Sequence, residues 1–85
     1  MAWKPVTTLD TPFRTGGRKF LVRIDGEERK DGTWGGRVVF VDGSNIRVTS
    51  QETSQPNRGA VEYWGTGLEP IYLEGAFARA REEAP

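Results

Sequence analysis

The stretch VVFVDGSNIRV (38–48) limits what this chain can become more than any other. Two runs of β-branched and aromatic residues flank Asp42-Gly43-Ser44-Asn45, where Asp-Gly and Asn supply the positive φ that a tight hairpin needs. A loop of two residues (42–43) or four (42–45) puts Val39, Val41, Ile46 and Val48 on one face. Upstream, KFLVRID (19–25) alternates, with Phe20, Val22 and Ile24 on one side and Leu21, Arg23 and Asp25 on the other. The charged loop GEERKDG leads into TWGGRVVFV (33–41), where Gly35 and Gly36 point to a bulge or a close backbone approach. The runs 19–25, 33–41 and 46–51 predict an antiparallel meander, its core face joining Phe20, Val22 and Ile24 to the hairpin's Val39, Val41, Ile46 and Val48.

Beyond residue 51 the period changes. Pro56 suits a first helical turn, with Ser54, Gln55 and Asn57 as capping candidates. Ala60, Val61, Trp64 and Leu68 recur at helical spacing, and Gly67 sits where a left-handed C-terminal residue belongs. Pro70 can open a second helix with Leu73, Ala76, Phe77 and Ala80 as its apolar seam, although 70–77 reads alternatively as a strand. The terminal AREEAP puts acids at a helix C-terminus, against the macrodipole, and is expected to fray. The fold expected is α+β: a three-stranded antiparallel β-meander with two short C-terminal helices packed on one face. A small all-β barrel is the alternative. Eighty-five residues suit a single small domain, 1–85. Residues 1–18, broken by Pro5, Pro12, Gly16 and Gly17, are expected to lie across it as an irregular N-terminal arm.

Composition narrows the chemistry. With no cysteine, disulfides and thiolate metal sites are excluded, and with no histidine the commonest general base and metal ligand are missing. Glu62, Glu69 and Glu74 stand beside apolar or aromatic residues but form no convincing acid/base pair, so no enzyme, cofactor or metal site is expected. RTGGRK (14–19) lacks the phosphate-loop pattern and runs into a strand, which makes it a flexible entry to that strand. No run of 18 apolar residues and no hydrophobic signal core is present, so a cytoplasmic protein without a membrane segment is expected. Nine arginines against three lysines suit a high-GC bacterial genome. The net charge is zero but segregated: residues 59–85 carry two basic against five acidic side chains, −3, and the remainder +3.

Two surfaces offer binding residues. Arg23, Trp34, Phe40 and Arg47 share one parity with Leu21, Val38 and Thr49, and arginines interleaved with aromatics suit single-stranded nucleic acid. The neutral chain and the missing RNP-type signature argue against nucleic acid as a partner. The other is the polar run TSQETSQPNR with the aromatics that follow it, read either as a recognition loop or as strand exit and helix capping. The leading functional expectation is a small non-catalytic interaction module, forming a homodimer or binding a protein partner. Single-stranded nucleic-acid binding through the Arg/aromatic face is the alternative.

Residues 51–77, with FLVRIDGEERKDGTWGGRVVF (20–40), resemble a set of short uncharacterised bacterial proteins sharing a pattern close to ET-x-QPNR…YW-x-x-GL-x-P-x-YLEGA. The resemblance brings no activity with it. It implies that Gln55, Pro56, Asn57, Arg58, Tyr63, Trp64, Tyr72, Glu74 and Gly75 belong to one motif.

Overall fold

In a computed structural model that describes residues 2–83, the alternating runs become the centre of an open, seven-stranded antiparallel sheet. The elements run β1 (Lys4–Thr8), β2 (Phe13–Thr15), β3 (Arg18–Glu28), β4 (Trp34–Asp42), β5 (Asn45–Val48), β6 (Thr53–Gln55), α1 (Arg58–Thr66), α2 (Pro70–Arg79) and β7 (Arg81–Glu82). The sheet order is β1-β3-β4-β5-β7, with β2 also paired to β3 and β6 also paired to β4. The protein is α+β with the expected meander, β3-β4-β5, at its centre, but it has four strands more than the expected three. Residues 70–79 are helical and the sheet is open, which sets aside the barrel. No helix among the described residues is long and apolar enough to cross a membrane.

The N-terminal segment is not irregular. β1 pairs with the outer edge of β3, from Lys4 opposite Gly26 to Thr8 opposite Arg23, with a register shift at Val6. Gly16 and Gly17, at φ 55° and 77°, form the two-residue turn that pairs Thr15 with Arg18. Two consecutive positive φ values define the type I′ hairpin, the form matched to strand twist. RTGGRK is thus a turn, and the glycines that looked like breakers join β2 to β3. Pro5 lies on an edge strand, where a missing N–H is tolerated. At the other end, Arg81 and Glu82 pair with Val48 and Arg47, and the Glu83 N–H reaches the Ile46 carbonyl at 2.9 Å. Residues 81–83 are therefore tied to the sheet rather than frayed; Ala84 and Pro85 lie outside the described residues.

One register expectation is overturned. The 29–33 connection sets Glu28 opposite Trp34, which carries Val22 opposite Phe40 and Ile24 opposite Val38. Phe20, Val22 and Ile24 therefore share a face with Val38 and Phe40, while Val39, Val41, Ile46 and Val48 lie on the reverse face with Leu21 and Arg23. Alternation shows that each strand has two faces; loop length decides which faces match, and one residue more or less exchanges them. Gly35 and Gly36 make no bulge, since the β3–β4 register runs unbroken through them. They mark close approach instead: a Cβ on Gly36 would lie 2.9 Å from Thr53 Cγ2 and 3.1 Å from Val61 Cγ1.

Both helices pack on the Phe20/Val22/Ile24 face, and the core comprises Phe13, Phe20, Val22, Ile24, Val38, Phe40, Val61, Leu73 and Ala76. One sheet and one helix layer fit the short dimension of the molecule, 18 Å. Asn57 caps α1, its Oδ1 accepting from the Ala60 N–H at 2.8 Å, and Pro56 precedes the cap. Gly67 has φ −91°, not the left-handed value expected. The last turn tightens instead, the Gly67 and Leu68 N–H groups donating to the Trp64 and Gly65 carbonyls.

The β4–β5 turn has Gly43 at φ 61° as the first of two loop residues between the paired Asp42 and Asn45. Asn45 does not share the positive φ. Gly43→Val is expected to destabilise the protein by about 1 kcal/mol or more, because a β-branched residue is strained there. A denaturant melt with an unchanged midpoint would contradict this.

Candidate functional site

Segment 51–79 divides in two when folded. Its inward half is a latch. Glu52 leaves the sheet beside β6 and accepts a short hydrogen bond from the Tyr72 hydroxyl. Arg79 donates to both Glu52 oxygens, at 2.7 and 3.3 Å, and its guanidinium lies 5.6 Å from the Tyr72 ring centroid. Side chains lean toward a helix N-terminus, so Arg79 must run back past Gly75 to reach Tyr72 and Glu52. Gly75 leaves that path open: a Cβ there would lie 3.1 Å from an Arg79 guanidinium nitrogen. Trp64 is half-buried and meets Tyr72 edge-on, the centroids 6.2 Å apart. The latch thus joins α1, α2 and the strand exit.

The latch has a pH signature. Burial and the hydrogen bond to Glu52 push the Tyr72 hydroxyl from its ordinary 10.0 up to about 12. Burial alone would raise Glu52, but hydrogen bonds from Arg79 and Tyr72 outweigh it and hold the carboxyl below its ordinary value. A raised phenol stabilises the fold fully below its unfolded pKa, and that contribution disappears as pH rises through the folded value. Stability is therefore expected to fall between about pH 10 and 12, and Tyr72→Phe should remove this segment of the alkaline profile while costing about 1 kcal/mol at neutral pH. Parallel alkaline profiles for parent and variant would exclude the latch as their source.

The outward half of the segment forms a corner where α1 meets α2. Tyr63, in the last turn of α1, is 83% exposed, and Ile71, in the first turn of α2, is 76% exposed. They are two of the three exposed large hydrophobic residues among those described; the third is Leu21. Beside the corner runs a half-open groove of about 640 Å³ between the β1–β2 connection and the helices. Leu9, Phe13, Leu68 and Leu73 supply its apolar lining, and Asp10, Arg14 and Glu74 open onto it.

Other expected site residues have structural work. Gln55 donates to Thr53 Oγ1 at 2.7 Å, Asn57 is the helix cap, and Pro56 and Arg58 are exposed beside it. The polar run 49–58 therefore serves strand exit and helix capping: Thr49 Oγ1 accepts from the Val38 N–H, and Gln51 accepts from Arg29. The Arg/aromatic platform is not assembled. Phe40 is fully buried beneath α2, Arg47 lies 4.9 Å from the Phe77 ring on that covered face, and Trp34 packs over Gly26. Arg23 points to the reverse face, where it and Arg37 hold the buried carboxylate of Asp25, Arg23 Nε at 2.7 Å and Arg37 at 3.2 Å. The nearby Trp3 ring lies 4.7 Å from the Arg37 guanidinium.

The sequence reading missed Glu52 and Arg79 of the latch and Asp10, Phe13 and Leu68 of the groove. A signal for the first pair existed: Arg79 lies two helical turns beyond Tyr72 with a glycine between them. Asp10 offered none, because its place depends on the pairing of β1 and β2 with β3. Among the described residues no group of three or more carboxylates converges to hold a metal ion. Comparisons with protein-family models, curated proteins and solved structures return no match.

Proposed function

We propose that this protein is a small non-catalytic interaction module that docks a segment of a protein partner at the α1–α2 corner and its groove. The observation that carries this reading is the exposure of Tyr63 and Ile71 on either side of one helix corner, next to the groove. Exposed apolar side chains that gather into one patch mark interaction sites, where singly scattered ones do not, and the α1–α2 connection between these two lines the groove through Thr66, Leu68 and Pro70. A groove of about 640 Å³ has the capacity of a small-ligand pocket and can take several side chains of a peptide. The latch supports the same reading. It holds both helices to the strand exit, so the corner is presented on a rigid base and little ordering is required on binding. Nucleic-acid binding is the weaker alternative, because Arg23 lies on the opposite face of the sheet from Trp34, Phe40 and Arg47.

A displayed-peptide selection against the folded protein tests the proposal. Selected peptides should be apolar-rich and should lose about tenfold or more in affinity for the Tyr63→Asp/Ile71→Asp double variant. Both residues are exposed, so the thermal melt of that variant should stay close to the parent's. Peptides that bind parent and variant equally would place the docking surface elsewhere. A dimer seen by sedimentation in the parent and lost in the variant would instead assign the corner to self-association.

A further inference from the structure

Resting on that reading, we infer that the segment taken by the groove is cationic: an apolar run carrying a lysine or arginine side chain. The groove supplies the apolar lining, and the groups at its mouth select the sign. Asp10 and Glu74 open onto it against Arg14 alone, and Glu69, exposed, directly precedes the lining residue Pro70.

These carboxylates share with Glu28, Asp31, Glu62, Glu82 and Glu83 the absence of an ion pair among the described residues, but Asp10 and Glu74 alone of these line the groove. Asp25, Glu27, Asp42 and Glu52 each have an arginine nitrogen within 3.2 Å, whereas no ion pair among the described residues involves Asp10, Glu69 or Glu74. Arg14, which shares the groove, is also outside every such pair. The groove therefore carries two negative groups and one positive one outside any ion pair: Glu74 on α2, and Asp10 and Arg14 on the wall formed by the β1–β2 connection and β2. A bound cation would lie against apolar walls, where its attraction to a carboxylate is screened less than on open surface. An acidic segment would meet the same two carboxylates with only Arg14 to offset them. The reverse face of the sheet gives no comparable signal, because its central charges, Arg23, Asp25 and Arg37, are already matched to one another.

The test uses three capped, leucine-rich heptapeptides, identical except for Lys, Gln or Glu at the central position, titrated into the full chain with amide chemical-shift mapping. The Lys peptide should perturb Leu9, Thr11, Leu68 and Leu73 and bind about tenfold tighter than the Glu peptide at low salt, the ratio shrinking at high salt. Asp10→Asn/Glu74→Gln should erase that preference, bringing the Lys and Glu peptides to equal affinity, with the melt close to the parent's because both residues are exposed. Equal binding of Lys and Glu peptides at these residues would overturn the inference and leave the docking reading standing. Failure of all three peptides to perturb the groove would remove both.

Discussion

Phe77→Ala is expected to cost about 3–5 kcal/mol, a large share of the stability of a domain this size. Phe77 is only half-buried, so exposure alone understates it. Its ring centroid lies 5.1 Å from those of Phe20 and Phe40 and 5.2 Å from that of Phe13, with the Arg47 guanidinium 4.9 Å away. The ring thus joins α2 to β2, β3 and β4 together. Aromatic pairs in such tilted and edge-on arrangements add to the gain from burial, and removing their shared member opens a cavity under the helix. Ile71→Ala, on the outer side of the same helix and 76% exposed, is the control and should change stability by no more than about 0.5 kcal/mol. Urea melts of the two variants give the comparison. A Phe77→Ala loss as small as that of Ile71→Ala would mean that α2 is not anchored by this cluster.

The legible parts of this fold were those encoded by neighbours in sequence. The Gly43 turn, the alternation along 19–25 and 33–41, the Asn57 cap and the Pro70 start each depend on a few adjacent residues, and each is present in the structure. The short strands were not legible. β1, β2, β6 and β7 span two to five residues each, too few to show a period, and they pair because β3, β4 and β5 offer unsatisfied edges. The face match between β3 and β4 was misread for the same reason: it is set by the 29–33 connection, not by either strand. That error created the Arg/aromatic platform, by placing Arg23 with Trp34 and Phe40. For the candidate site, the resemblance grouped Gln55, Pro56, Asn57 and Arg58 with Tyr63, Trp64, Tyr72, Glu74 and Gly75, but gave no division into a helix cap, a latch and an outer corner. Glu52 and Asp10 enter only through β6 and β1, so half of each arrangement was beyond a local reading.

Gly65→Ala is expected to destabilise the protein by about 1–3 kcal/mol, although alanine is the better helix former by up to about 1 kcal/mol. Gly65 is buried near the end of α1, where the helix rests on β3. A methyl group there would lie 2.5 Å from Ile24 Cγ1, 3.2 Å from its Cδ1 and 3.3 Å from its Cβ. Ile24 cannot yield easily, since it is fully buried in the core and β-branched, and its obstructing Cγ1 is attached directly to the branched Cβ. The helix must lift instead, and the corner bearing Tyr63 and Leu68 would lift with it. Gly59 provides the contrast at the other end of α1: its nearest neighbour would be Asn57 Oδ1 at 3.5 Å, so Gly59→Ala should be neutral or stabilising by up to about 1 kcal/mol. A double-mutant cycle separates crowding from any other effect. Ile24→Ala removes the obstructing atoms, and Gly65→Ala introduced into that background should lose most of its penalty. If Gly65→Ala instead stabilises the parent as Gly59→Ala does, α1 is not seated on Ile24 at this distance, and the rigid base assigned to the docking corner is lost with it.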